Sequence, residues 1–122
     1  MPPKLLLVIN TRLLKENSNF QINCSVQEGS QPYFFEWHRN GQFFKSGPDV
    51  SYRIDYSDIS STHTIKKIQL SEAGNYTCLV KNEHGSDSQS IQLTVKGIFD
   101  LIQNSIEIII YSVVQYMAPL SP

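Results

Sequence analysis

The sequence predicts an all-β domain made of two facing antiparallel sheets. Short segments alternate apolar and polar residues with a period of two, which places one set of side chains on a buried face. Turn formers interrupt these segments roughly every 8 to 12 residues. No segment before residue 98 has the apolar period of a helix, so the crossover helices that a parallel sheet requires are missing. Roughly seven or eight short strands in this pattern make a sandwich.

The first clear strand covers residues 20–26, where Phe20, Ile22, Cys24 and Val26 share one face and Cys24 points inward. The turn formers Glu28-Gly29-Ser30-Gln31-Pro32 close it. In residues 33–38, Tyr33, Phe35 and Trp37 share one face and Phe34, Glu36 and His38 the other, so Trp37 faces the core. Asn40-Gly41 follows at once. Both residues tolerate positive φ, so the pair predicts a two-residue primed turn into a returning strand at residues 42–45. Ser46-Gly47-Pro48-Asp49 breaks the chain, and residues 51–56 and 61–68 read as two strands rich in Ile, Tyr and Thr. Residues 70–74 make a corner. Residues 75–81 alternate again, with Tyr76, Cys78 and Val80 inward, and Asn82-Glu83-His84-Gly85 turns the chain into residues 90–96, where Ile91, Leu93 and Val95 share a face.

Composition bounds the function. A chain of 122 residues holds one domain of about 100 residues and an appendage. Ten Lys and Arg against eleven Asp and Glu give a formal charge of −1, which leaves no electrostatic footprint for nucleic acid or an anionic membrane. A charged fraction of 17%, combined with six Phe, six Tyr and one Trp, is the opposite of a disordered composition. The apolar run at residues 5–9 is too short for a secretory signal, and residues 98–118 are interrupted by Asp100, Gln103, Asn104, Glu107 and Gln115, so neither an export signal nor a transmembrane helix is expected. No nucleophile-elbow, zincin, phosphate-loop or paired-carboxylate pattern occurs. His38, His63 and His84 fall on different strands and turns. The expectation is therefore no enzyme, no cofactor, no metal and no small-molecule substrate. The cysteines taken alone fit two buried thiols or one bridge.

Inward Cys24, Trp37 thirteen residues later and Glu72-Ala73-Gly74-Asn75-Tyr76-Thr77-Cys78 together resemble the immunoglobulin domain in its intermediate-set (I-set) form. The resemblance implies a Greek-key β-sandwich of about seven to nine strands over residues 2–97. It implies a Cys24–Cys78 disulfide between the sheets, Trp37 covering it, and the Tyr76 hydroxyl pinning the corner to the backbone. Closing that loop contributes about 4 kcal/mol in the chain-entropy model. Two positions depart from the family pattern. Glu72 stands where Asp is usual, with Arg53 the expected partner, and His63 stands where an apolar residue is usual, expected as a partly buried, satisfied histidine.

The opening Pro2-Pro3-Lys4, the run from Cys24 to Gly29, Ile68-Gln69 and the run from Asn82 to Ser88 resemble repeats of the Down syndrome cell adhesion molecule family, arthropod members above all. That resemblance implies homophilic cell–cell recognition in neurons, as in axon guidance and self-avoidance, with the same or a related adhesion receptor as partner. It also implies an extracellular place at the plasma membrane, as part of a longer receptor whose export signal and anchor lie elsewhere. The alternative is a structural I-set repeat of an intracellular muscle or cytoskeletal protein, whose repeats more often lack the cysteine pair.

Two glycosylation sequons occur, at Asn23-Cys24-Ser25 and Asn75-Tyr76-Thr77. Asn75, at a corner with solvent access, is the candidate glycan carrier; Asn23, mid-strand beside a cysteine, is a poor one. Binding falls to the outward face of the sheet holding the third, sixth and seventh strands of the family, where Phe34 and Leu79 are the apolar anchors among Glu36, His38, Thr77, Lys81, Gln92 and Thr94. Residues 98–122 form a hydrophobic, poorly ordered tail outside the domain, read either as intron read-through after Gly97 or as a weak helix with Ile98, Leu101, Ile102, Ser105 and Ile109 near helical spacing.

Overall fold

The computed structural model describes residues 1–44 and 52–117. Among the described residues, nine strands and one long helix follow in the order β1 (Lys4–Leu5), β2 (Thr11–Lys15), β3 (Phe20–Glu28), β4 (Phe34–Arg39), β5 (Gln42–Phe44), β6 (Tyr52–Tyr56), β7 (Ser60–Ile65), β8 (Gly74–Asn82), β9 (Gly85–Lys96) and α1 (Ile98–Tyr116). A single 3-10 turn, Leu70–Glu72, joins β7 to β8. One sheet has the order β1-β3-β7-β6 and the other β2-β9-β8-β4-β5. The chain changes sheet between β3 and β4, β5 and β6, and β7 and β8, which is the Greek-key pattern.

Period-two alternation builds the core. Phe20, Ile22 and Cys24 of β3, Trp37 of β4, Ile54 of β6, Ile65 of β7, Tyr76, Cys78 and Val80 of β8, and Ile91, Leu93 and Val95 of β9 are all buried between the sheets. Each such side chain removed from water contributes about 1.5–3 kcal/mol before the entropy of ordering is charged against it. Ile68 lies beyond the end of β7 yet is fully buried. Its N–H donates to Ser18 and its carbonyl accepts from Asn17, because Lys67 at φ 50° turns the chain there. The strand expected over residues 61–68 therefore stops at Ile65.

The N-terminal segment differs most from the expectation. Leu5 in β1 is buried and pairs with Val26 of β3, and the next residue, Leu6, donates its N–H to Ser25 on the same strand. By Asn10 the chain has crossed to the other sheet, where the Asn10 carbonyl accepts from Gln92. From there β2 runs parallel to β9, so a sandwich expected to be purely antiparallel carries one parallel edge pair. Between the two sheets, Leu7 is 94% exposed.

The Asn40-Gly41 hairpin forms with both residues at positive φ, 49° and 83°, and β5 pairs with β4 in the register that such a turn dictates. Lys45, the break at residues 46–49 and Ser51 lie outside the described residues. Residues 98–116, expected as a poorly ordered tail or a weak helix, are helical. The Gly97 N–H donates to the Asp100 carboxylate at 3.0 Å and starts α1, and the described side chains of the helix are all exposed, outside the core. Residues 118–122 lie outside the described residues. Among those described, no helix is long and apolar enough to cross a membrane.

Candidate functional site

Alternation brings Cys24 of β3 and Cys78 of β8 to the middle of the sandwich from opposite sheets, where they form a disulfide with S–S 2.06 Å and Cα–Cα 6.4 Å. Trp37 faces Cys78 across the β4–β8 pair, and together with Tyr76 these side chains line one small interior space. The indole Nε1–H donates to Ser61 Oγ at 2.8 Å, and that hydroxyl donates to the Asp55 carbonyl at 3.1 Å. A polar link therefore runs from one sheet to the other through the core and leaves the buried indole satisfied. Ser61 carried no sequence signal, since its role appears only once β7 is packed over β4.

The corner before β8 is held from several sides. The Tyr76 hydroxyl donates to the Glu72 carbonyl at 2.6 Å, and burial pushes the phenol above its ordinary pKa. The expected pairing of Glu72 with Arg53 does not form. Glu72 reaches back to accept the Gln69 N–H at 2.9 Å, the capping geometry of a helical turn, while Arg53 donates to Asp55 on its own strand at 2.9 Å. The cation at this corner is Arg39. It lies opposite Tyr76 with its guanidinium 5.8 Å from the ring centre and donates to the carbonyls of Ser71 and Ala73. His63, expected to be partly buried, is only 2% exposed, with the rings of Phe44, Tyr76 and Trp37 at 5.1, 5.5 and 5.6 Å. Burial lowers its pKa to about 4.

The outer face of the five-stranded sheet holds the predicted binding residues. Phe34 lies opposite Lys81, Glu36 opposite Leu79 and His38 opposite Thr77. Phe34 is 66% exposed, whereas Leu79 is half-buried in the middle of the sheet. Glu36 sits at the centre, 3.5 Å from the Lys81 ammonium and 3.3 Å from His38 Nε2. The hydrogen bond with His38, ahead of the attraction of Lys81, holds its carboxyl below the usual range. The other exposed aromatic of this face is Phe43, which sequence reasoning missed. It pairs with His38 across β4–β5, edge-on at 5.9 Å between centroids. The face therefore presents two aromatics roughly 13 Å apart, four residues along and one strand across, with Glu36 and His38 between them and Lys81 beside Phe34 on β8. The sequons divide between the sheets. Asn75 is half-buried on this face, its carbonyl oxygen taken by Thr77 and its amide 3.5 Å from Gln92, whereas Asn23 is exposed on the outer face of the four-stranded sheet beside Thr62. Asn75 keeps partial solvent access, and Asn23 is the more exposed of the two.

A family model described as the immunoglobulin I-set domain matches residues 3–95. The chain belongs to the immunoglobulin I-set family. Among its relatives, this I-set domain is 27% identical over 97 residues to myopalladin of Mus musculus, covering 80% of this chain and 7% of that protein. It is 33% identical over 75 residues to the cell adhesion molecule DSCAML1 of Homo sapiens, covering 62% of this chain and 4% of that protein. In fold it is similar to an I-band fragment of titin, with TM-score 0.71 and 22% identity over 79% of this chain and 33% of that one. The chain spans 4 to 10% of the length of the curated relatives it matches.

Proposed function

We propose that this I-set domain is a protein-binding module of a cell-adhesion receptor, displayed outside the cell at the plasma membrane, and that it binds through the outer face of its five-stranded sheet. The observation that carries the reading is the pair of exposed aromatics, Phe34 and Phe43, bordered by Glu36 and by Lys81, which lies opposite Phe34. Aromatic anchors bordered by charge are the chemistry of a protein contact. The buried Cys24–Cys78 bridge supports an oxidising compartment, and the similarity to DSCAML1, named a cell adhesion molecule, supports adhesion. The finer reading is homophilic recognition by the same or a related receptor in neurons, of the Down syndrome cell adhesion molecule type, as in axon guidance and self-avoidance. Glycans fit this use unevenly. A glycan on Asn23 would leave the face clear, and one on Asn75 would stand on it.

The second reading, a structural repeat of an intracellular muscle or cytoskeletal protein, is favoured by the myopalladin similarity over a larger part of the chain. Beads coated with the domain separate the two. Self-aggregation is expected, and the double variant Phe34→Ala, Phe43→Ala is expected to weaken it at least tenfold, since a central aromatic truncation costs about 2 kcal/mol or more. Aggregation unchanged by both substitutions removes the face. Free thiols at Cys24 and Cys78 in unreduced native material favour the intracellular repeat.

A further inference from the structure

The fold treats the two sequons differently. Asn23 on β3 is exposed and engages only its amide oxygen, which accepts from Ser25 Oγ and Thr62 Oγ1, each at 3.3 Å. Its Nδ2, the atom that carries a sugar, makes no hydrogen bond among the described residues. Around it the cross-strand rows Asn23–Thr62–Asp55 and Gln21–Thr64–Arg53 present amides, hydroxyls and one exposed ion pair, with no aliphatic or aromatic anchor for a protein contact. Asn75 is the reverse. It is half-buried, its oxygen accepts from Thr77 Oγ1 at 3.2 Å, its Nδ2 lies 3.5 Å from Gln92, and the Thr77 hydroxyl that completes the sequon is shared with Ser90 at 2.6 Å. We propose that Asn23, and not Asn75, is the N-glycan site of this chain, and that its glycan covers the outer face of the four-stranded sheet. The proposal rests on the extracellular reading above.

The order of synthesis removes the objection that Asn23 sits mid-strand beside a cysteine. In the folded domain the Asn23 backbone is paired with Thr62 and Cys24 is bonded to Cys78, so transfer has to precede both. Cys78 lies 54 residues further along. At about 5–20 residues per second it follows Cys24 by about 3–10 s, during which Asn23-Cys24-Ser25 is an extended segment with a free thiol and no native partner. Asn75 has no such interval, because Cys78 arrives three residues behind it with β3, β4 and β7 already made. In the transfer itself, Asn23 Nδ2 attacks the anomeric carbon of a lipid-linked oligosaccharide. The C–N bond forms as the C–O bond to the lipid pyrophosphate breaks, Nδ2 gives up one of its two protons, and the lipid pyrophosphate leaves. The Asn23 oxygen keeps both of its hydroxyl partners afterwards. A bulky, hydrated glycan there closes the polar sheet to partners and leaves the Phe34–Phe43 face open.

The full 122-residue chain, given a cleavable secretion signal and expressed in mammalian cells, tests the proposal. The amidase that releases N-glycans converts the carrying Asn to Asp, so peptide mass mapping names the residue. One glycan is expected, at Asn23. Asn23→Gln and Ser25→Ala are each expected to abolish it and Asn75→Gln to leave it in place, with the near-ultraviolet signal of Trp37 unchanged in all three. A glycan at Asn75, with or without one at Asn23, overturns the proposal, as does a secreted chain that carries none. The signal commits the chain to the secretory route, so these results bear on the site alone, whereas the thiol state of native material bears on the compartment.

Discussion

His63 makes the fold sensitive to acid. Its imidazole is buried among Trp37, Phe44 and Tyr76 with a pKa of about 4, against the ordinary value of 6.5 in the unfolded chain. As pH falls through that window, the unfolded chain takes up a proton that the folded protein refuses. The contribution is therefore complete above 6.5 and drains away down to about 4, an order-of-magnitude loss of about 3 kcal/mol. Urea denaturation of the parent and of His63→Leu across this range checks it: the parent is expected to lose stability steadily, and the variant to show a much shallower slope. Single residues also mark where sequence reasoning stops. Cys24, Trp37, Tyr76 and Cys78 were legible because alternation and spacing fix their direction. Ser61 and Arg39 were not, because a serine facing an indole, or an arginine folded over a tyrosine, depends on which strand lies opposite. The same limit produced the Glu72–Arg53 error, since a carboxylate three residues after Gln69 satisfies its own turn before it reaches another strand.

At the scale of elements, the corner between β7 and β8 acts as a unit. Glu72 caps the turn, Arg39 holds its carbonyls, and the Tyr76 hydroxyl closes it at 2.6 Å. Gly74 belongs to the same arrangement. At φ 152° it tolerates what other residues resist, and a Cβ there would lie 2.8 Å from Asn40 Oδ1, which itself accepts the Asn75 N–H. Tyr76→Phe, which removes only the hydroxyl, is expected to cost about 1–3 kcal/mol with the ring packing kept. A drop in thermal midpoint with an unchanged near-ultraviolet spectrum checks it. Strands β3 and β8 and the second half of β9 were readable because each keeps one face inward, whereas Gly85–Gln89 of β9 buries no side chain and was read as a turn and its lead-in. β1 and β2 were hidden because the chain changes sheet between them, which destroys the period of two and leaves a featureless apolar run. Phe43 was one inference away: the Asn40-Gly41 turn fixes the β4–β5 register, and the register places Phe43 across from His38.

For the whole molecule, the Cys24–Cys78 bridge links residues 54 positions apart and ties the two sheets together. Replacing both cysteines by Ala is expected to lower stability by about 4 kcal/mol in the chain-entropy model, a large part of what a domain of this size has. Chemical denaturation of the double variant beside the parent measures it, and a loss near zero would mean that packing around Trp37 suffices alone. The molecule also has a direction. Strand β1 begins next to the β8–β9 turn, where the Asn82 amide holds the Met1 carbonyl, and β9 leaves that turn and ends at the far pole beside Leu70. Its twelve residues cover roughly 40 Å. The two ends of the sandwich therefore lie roughly 40 Å apart at opposite poles, with Phe34 and Phe43 exposed on the flank between them.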